Sequence, residues 1–230
     1  MEHAAAGGML IPNMVLVLAY IFIAMERIPK VVIALLGASV IMLAGILTHE
    51  QAVAAIDFNV IFLLVGMMIL VNILKQTGAI RYLALLSARS VNGSGVMLML
   101  TFAVMTAVLS AFLDNVTTVL LLGSVTVAIS NQLGINPVPL LITQVLASNI
   151  GGTATLIGDP PNIMIGSAAG LSFSDFIIHL APVVLIILPV ALGVLYFIYR
   201  KQLQLTDEAK RQMESLSLNG VITDYPLMVK

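Results

Sequence analysis

The sequence lacks cysteine and tryptophan altogether and has few charged residues. With no cysteine among its 230 residues, the chain can form neither disulfide bonds nor thiolate metal sites. Only 9% of the residues are charged, against roughly 25% in a typical soluble domain. The formal net charge of −1 gives no basic surface for nucleic acid, which we exclude as a partner. A chain with so few charges cannot expose most of its surface to water.

Apolar residues are abundant instead, at 60% of the total and with a mean hydropathy of +1.10. A helix needs about 20 apolar residues to cross a bilayer. The recurring apolar runs predict an all-α membrane protein with about five crossings, a re-entrant helical hairpin and a broken helix. The runs cover residues 9–25, 31–47, 60–74, 96–129, 140–169 and 176–199. The stretch Ile80–Ser90, which contains Arg81 and Arg89, suits a helix lying at the membrane interface.

The predicted domain plan has two parts. Residues 1–203 form a transmembrane repeat, with the hairpin at 96–131 and the broken helix at 139–168. Residues 204–230 form a cytoplasmic linker, in which Thr206–Ser217 is expected to be helical. Five crossings are an odd number, so a second copy appended to the chain would be inverted. Inverted repeats with broken helices are the build of many secondary transporters, and this topology is that of one repeat.

The basic residues orient the chain, because Lys and Arg concentrate in cytoplasmic loops. With the N-terminus outside, all ten basic residues fall inside if Val96–Ile129 makes no net crossing. That segment is either a re-entrant hairpin or two full spans joined by a turn outside, and the charges fit both. We expect a multi-pass protein of a bacterial-type plasma membrane with a cytoplasmic C-terminus. The ten residues are Arg27, Lys30, Lys75, Arg81, Arg89, Arg200, Lys201, Lys210, Arg211 and Lys230.

Two polar segments interrupt the apolar runs and carry the candidate site. They are Ser110–Thr118 (SAFLDNVTT) and Ser148–Asn162 (SNIGGTATLIGDPPN). Each places an aspartate, Asp114 or Asp159, beside asparagine, serine and threonine. A charge at membrane depth is costly, so such a residue usually faces a cavity and has a partner. The alternatives are a hydrophilic turn outside the membrane for the first segment and a plain loop between two short spans for the second.

Glycine and proline predict where the second segment leaves the helical conformation. Gly151 and Gly152 permit unusual backbone angles, and Gly158 belongs to the same break. Pro160 and Pro161 remove two backbone donors. The expected result is unwound backbone with free carbonyls, which together with side-chain oxygens would coordinate a hard cation such as sodium. The helix N-termini after each break would hold an anion.

These residues resemble a known family. SNIGGTATLIGDPPNIMIG, residues Ser148–Gly166, looks like the signature of the ion transporter superfamily. SAFLDNVTTVLL, residues Ser110–Leu122, is similar to the hairpin motif of that group, and Asp57–Gly78 resembles its third span. The superfamily includes arsenical pump membrane proteins, D-type sodium/proton antiporters, the melanosomal P protein and citrate-transporter-like permeases. The GDPPNIMIG version looks most like the arsenical pump and P-protein branch.

The resemblance implies two inverted repeats, each with a re-entrant hairpin and a broken helix. In related sodium/dicarboxylate symporters the hairpin tip carries Ser-Asn-Thr and helps to hold sodium and a carboxylate. Here Asp114 replaces the serine and the tip has one extra residue, which is closer to the antiporter pattern. By the resemblance, Asp114, Asn115, Asn149 and Asp159 bind an ion or a proton. The predicted substrate- and ion-binding residues are Asp114, Asn115, Thr117, Thr118, Ser148, Asn149, Gly152, Thr153, Thr155, Asp159 and Asn162, with sodium at Asn115, Asn149 and Thr153.

The predicted function is secondary active transport of an inorganic or small organic ion. Coupling to a proton or to sodium is expected, with no other cofactor. The alternatives are a sodium-coupled carboxylate permease, a channel or uniporter, and a non-transporting accessory or remnant subunit. Family members run about twice this length, so we expect a second inverted half as partner, encoded downstream, as a separate chain, or as a second copy. We find no nucleophile–base pair, HExxH sequence or Walker motif, so an enzyme is not expected.

Overall fold

The computed structural model describes residues 2–91 and 93–214, and these contain eleven α-helices and no strand. The predicted all-α membrane fold is confirmed. Two compact units divide the chain, Met1–Phe58 and Asn59–Lys230. Among the described helices, two are long and apolar enough to cross a membrane by length and composition, Phe58–Thr77 and Phe173–Tyr199.

The first unit contains α1 (Glu2–Ala24), α2 (Lys30–Leu43) and α3 (His49–Ala54). Helix α1 packs against α2. Helix α2 ends four residues before the predicted Leu47, because Gly45 adopts a φ of 69°, a left-handed conformation that closes helix ends. Helix α3 begins at a capping box, in which the Thr48 side chain and the Gln51 side chain each bond the other's backbone N–H.

The second unit contains the candidate site and eight helices. These are α4 (Phe58–Thr77, which begins at the boundary), α5 (Ala79–Ser90), α6 (Gly95–Ser110), α7 (Asn115–Gln132), α8 (Val138–Gly152), α9 (Pro160–Ala169), α10 (Phe173–Tyr199) and α11 (Asp207–Glu214). The main hydrophobic cluster joins α5, α6, α7 and the start of α8. The short α5 follows the predicted interfacial helix closely.

The hairpin consists of α6 and α7, so its bounds agree closely with the predicted 96–131. The turn at its tip, residues 111–114, lies earlier than the polar break expected at Asp114–Thr118. The reason is that Asp114 caps α7: its Oδ1 accepts a hydrogen bond from the Thr117 backbone N–H at 2.9 Å. Residues 115–118 therefore form the first turn of a helix.

The broken helix consists of α8 and α9, separated by residues 153–159. The break is shorter than the predicted polar segment, because Ser148–Gly152 still belongs to α8. Pro160 and Pro161 occupy the first two positions of α9. A missing N–H costs nothing at the start of a helix, and the fixed φ of proline favours the helical conformation. The two prolines therefore begin α9.

Helices α6 and α8 pack closely and run in the same direction. Ala107 lies against Gly151, and the Ala111 carbonyl accepts a hydrogen bond from the Thr155 hydroxyl. The two residues of each pair are 44 positions apart in the sequence, so the helices keep the same register along both contacts. Helix α7 runs the opposite way, since its start contacts the end of α8 through Asn115 and Asn149. The hairpin tip and the break in the helix therefore lie at the same level.

Helix α10 runs antiparallel to α6 and extends beyond the hairpin tip. Leu192 packs in one cluster with Ala103, Ala107 and Ala147, and the segment after α10 returns to the start of α6. From Leu192 back to Phe173, α10 continues for about 28 Å, whereas α6 continues from Ala107 for only about 5 Å, at 1.5 Å per residue. The tip thus falls roughly 20 Å short of the beginning of α10. This is the geometry expected of a re-entrant hairpin.

The first part of the predicted linker packs into the second unit. Leu203 and Ala209 are buried with residues of α5 and α6. The Leu203 carbonyl lies so close to Gly95 that a Cβ there would collide with it. The predicted helix is observed as α11 up to Glu214, and residues 215–230 lie outside the described part of the chain.

Candidate functional site

The candidate site lies where the hairpin tip meets the break between α8 and α9, and Asn115 is at its centre. The Asn115 Nδ2 donates to the Asn149 Oδ1 at 3.4 Å, and the Ser110 hydroxyl donates to the Asn115 Oδ1 at 2.5 Å. The Asp159 carboxylate lies close to the Asn115 side chain and near enough to Asp114 for the two charges to interact. The structure therefore brings four predicted residues together: Asp114, Asn115, Asn149 and Asp159.

Asp114 has a structural role as well as a place in the site. Its Oδ1 holds the first turn of α7 through the Thr117 N–H, so one carboxylate oxygen is committed to the helix. An acidic residue at a helix N-terminus is also stabilised by the helix dipole. The local sequence thus fixes the position of this carboxylate.

The glycines of the break serve close packing. The unusual backbone angles predicted for Gly151 and Gly152 are not observed, since neither adopts a positive φ. A Cβ at Gly151 would collide with the Ala107 backbone, and one at Gly152 with the Asn115 Oδ1. A Cβ at Gly158 would meet the carbonyl oxygen of Gly152. Only glycine leaves room for the tip to approach the break so closely.

Asn162 and Thr155 brace the unwound backbone. The Asn162 Nδ2 donates to the Thr155 carbonyl at 2.9 Å and lies 3.4 Å and 3.5 Å from the Gly152 and Thr153 carbonyl oxygens. The Thr155 hydroxyl donates to the Ala111 carbonyl and accepts from the Gly158 N–H. The sequence predicted free carbonyls in the break, but these carbonyls accept hydrogen bonds. Each oxygen nevertheless keeps a second lone pair. Both side chains are buried and hold the site in shape.

The remaining predicted residues differ in accessibility. The exposed Thr153 hydroxyl bonds the Asn149 carbonyl at 2.9 Å, so Thr153 is next to the amide pair. Ser148 is fully buried and its hydroxyl donates to the Val145 carbonyl. Thr118 is also buried, and its hydroxyl has no hydrogen-bond partner within the described residues. Thr117 lines a groove between α4 and α7.

Two polar contacts were not predicted: one in the site at Ser110, and one between α7 and α8, away from the site, at Gln144. Ser110 belongs to the first polar segment, and its bond to Asn115 was not foreseen. Gln144 is a fully buried amide in α8, and its Oε1 accepts from the Thr126 hydroxyl of α7 at 3.0 Å. A lone glutamine in an apolar run at membrane depth was the available signal.

The donors suit a hard monovalent cation better than a transition metal. Within the described residues no group of three or more His, Asp or Glu side chains forms a metal site. The predicted sodium residues Asn115, Asn149 and Thr153 lie together and offer neutral oxygens, and two carboxylates lie beside them. Hard cations prefer such oxygen ligands.

Comparison with known proteins finds membrane-protein and transporter relatives. The family profile described as Citrate transporter matches residues 20–230. An uncharacterized transporter of Mycobacterium tuberculosis is 43% identical over 222 residues, and a 46 kDa membrane protein of Mycobacterium leprae is 42% identical over 220 residues; each alignment covers 94% of this chain and 51% of the relative. The human P protein is 40% identical over 192 residues, covering 78% of this chain and 23% of its own. The chain spans about half the length of its mycobacterial relatives.

Proposed function

We propose that this chain, which belongs to the citrate transporter family, is part of a secondary active transporter that carries a small inorganic or organic ion. The observation that carries the proposal is the hydrogen bond from Asn115 to Asn149, with the Asp159 carboxylate close beside Asn115. It joins two interruptions of helical structure that come from different parts of the chain. Transporters of this general build bind substrate and coupling ions at such broken helices.

The residues would divide the work by their chemistry. Asn115, Asn149 and Thr153 would offer oxygens to a sodium ion, while Asp114 and Asp159 would bind a proton or balance the charge of a cation. Non-helical backbone is tolerated at this depth only where protein or a watery cavity surrounds it. A second, inverted half would complete the site from the opposite side, and movement of one part against another would alternate access.

Replacing Asp114 by Asn separates the charge from the fold. Asparagine caps helices as well as aspartate does, so the hydrogen bond to the Thr117 N–H is retained. The variant is reconstituted into proteoliposomes as the complete protein, including any second half. We expect its ion uptake driven by a proton or sodium gradient to fall at least about tenfold, which corresponds to about 1.4 kcal/mol of activation free energy. Asp207→Asn, at an exposed position of α11, is the matched control and should transport normally. Normal gradient-driven uptake by Asp114→Asn would remove the proposal.

A sodium-coupled carboxylate permease is the second candidate, and the description of the matching family as Citrate transporter favours it. In this version an inward sodium gradient would drive citrate into the proteoliposomes. In the antiporter version the same vesicles would exchange sodium for protons without any carboxylate. If purified complete protein does neither with any tested ion, a non-transporting subunit becomes the better description.

A further inference from the structure

A groove of about 720 Å³ runs between α4 and α7 and has a partly polar lining. Its hydrocarbon lining comes from Val65, Met68, Ile69, Val71, Leu120 and Leu121. The polar lining consists of Asn72 and Lys75 from α4 with Thr117 and Ser124 from α7. A surface that faced only lipid would have no need of an ammonium, an amide and two hydroxyls.

The groove continues toward the end of α7. A second depression of about 310 Å³ shares Ser124 with the first and is lined also by Arg81 and Gln132. From Thr117 to Gln132 the two depressions span 16 residues of α7, a length of about 22 Å at 1.5 Å per residue. One end of this path is therefore at the end of the hairpin. The other is at Thr117 in the first turn of α7, on the face of that helix opposite Asn115, so the path ends beside the N-terminus of α7 at the hairpin tip.

The charge along the path has one sign. Its lining includes Lys75 and Arg81, whereas no aspartate or glutamate lines either depression. In the described part of the chain neither cation forms an ion pair with a carboxylate. Two unpaired cations in a groove with apolar walls attract anions, because low-dielectric walls focus the field. The Asn72 and Gln132 amides and the Thr117 hydroxyl offer further donors to an oxyanion, whereas the Ser124 hydroxyl donates to the Leu121 carbonyl.

We propose that this path, from Arg81 and Gln132 past Lys75 to Thr117, is an entry route with a binding position at Lys75 for a small anion bearing carboxylate or phosphate oxygens. The inference rests on the proposed function for its purpose, because an entry route needs a transported ion. The proposed anion position uses other residues than the proposed transport site, because none of Lys75, Arg81 or Ser124 belongs to the site at the hairpin tip. The anion could come from water or from a lipid headgroup, and the experiment distinguishes these sources.

This chain contains no cysteine, so a single cysteine introduced into it, with any cysteine of a second half replaced, allows a test that does not depend on transport. The complete protein carrying Ser124→Cys is placed in vesicles of neutral lipid and labelled with an anionic sulfonatoethyl or a cationic trimethylammonium-ethyl methanethiosulfonate. We expect the anionic reagent to be favoured, and Lys75→Gln to lower the anionic-to-cationic rate ratio about tenfold. Lys75→Arg should restore the ratio. Val127→Cys, on α7 but outside both depressions, is the matched control and should show no dependence on Lys75.

Protection experiments identify the source of the anion. Citrate added in water should slow labelling of Ser124→Cys when Lys75 is present and not in the Lys75→Gln background. If vesicles with anionic lipid protect while citrate does not, the position is a lipid site and the entry route is wrong. Labelling rates that ignore reagent charge, or no labelling from water in folded protein, also overturn the proposal. Failure of the Asp114→Asn test alone would overturn the transport mechanism and leave the anion position standing.

Discussion

At the scale of single residues, the site depends on the absence of side chains as much as on their presence. Gly151 and Gly152 at the end of α8, and Gly158 in the break, allow this backbone to approach the hairpin so closely that any Cβ would collide. Asn162 then replaces part of the missing helical hydrogen bonding by donating to carbonyls of the break. A polar group buried without a partner costs about 1–3 kcal/mol, so this amide stabilises the unwound segment.

Gly151→Ala tests the close contact. The added methyl group must displace the Ala107 backbone, and overpacking of this kind costs about 1–3 kcal/mol. We expect a lower unfolding temperature for the purified protein in detergent. Gly193→Ala in α10 is the control, because no atom lies within 4 Å of a Cβ there, and alanine is favoured over glycine in helices by up to about 1 kcal/mol. Equal melting temperatures for the two variants would contradict the packing role of Gly151.

At the scale of elements, caps determine where the site begins. Asp114 ends the turn and starts α7, as Ser94 starts α6 by accepting from the Met97 N–H at 3.2 Å. The N-cap places the Asn115 side chain in the first turn of α7, within reach of Asn149. The carboxylate and the amide therefore cannot shift independently of the helix.

Removing the caps should separate stability from transport. Asp114→Ala loses both the cap and the charge, so we expect it to be about 1 kcal/mol less stable than the parent protein, whereas Asp114→Asn should retain the stability. Ser94→Ala should show a similar loss of stability with coupling intact, because Ser94 is far along α6 from the tip. Thermal unfolding of the three variants alongside gradient-driven uptake gives the comparison. A stable Asp114→Ala variant would contradict the cap.

The sequence predicted the extent of these elements well and their packing poorly. Hairpin and broken helix were predicted within about one residue at their outer ends, because the apolar runs end there. The inner break was misplaced, since Pro160 and Pro161 can either stop a helix or start one. The parallel contact of α6 with α8, and hence the packing role of Gly151, joins residues 44 positions apart and leaves no periodic signal in either segment.

At the scale of the whole molecule, several helix ends of the second unit lie on the same side. The start of α6 adjoins Leu203 beyond the end of α10, and the end of α7 lies on the same side because α7 is antiparallel to α6. The short segment between α9 and α10 lies at the far end of α10. The clustering of Arg200 and Lys201 near α6 fits the predicted cytoplasmic side, since basic residues favour that face.

Single cysteines in the cysteine-free chain test this arrangement. Ser94→Cys and Asn131→Cys should react with an impermeant thiol reagent from the cytoplasmic side, and Ser172→Cys from the opposite side. Phe112→Cys, exposed at the hairpin tip, should carry a fluorophore that is quenched best by lipids brominated in mid-chain. That result distinguishes a re-entrant tip from a turn outside the membrane, where headgroup quenchers would act best. Labelling of Ser94→Cys and Ser172→Cys from one side would contradict the arrangement.

The contact between α6 and α8 also limits how the molecule can move. For the hairpin to move away from the broken helix, their contact would have to open. Ala107 and Gly151, however, pack backbone against backbone, and the Thr155 hydroxyl bonds the Ala111 carbonyl. Lifting the hairpin from the broken helix would expose both contacts and leave buried carbonyls without partners. The hairpin and the broken helix are therefore expected to move as one unit. Any sliding is then expected along the loosely packed helices α4 and α10, each of which has only 11% of an apolar stretch buried.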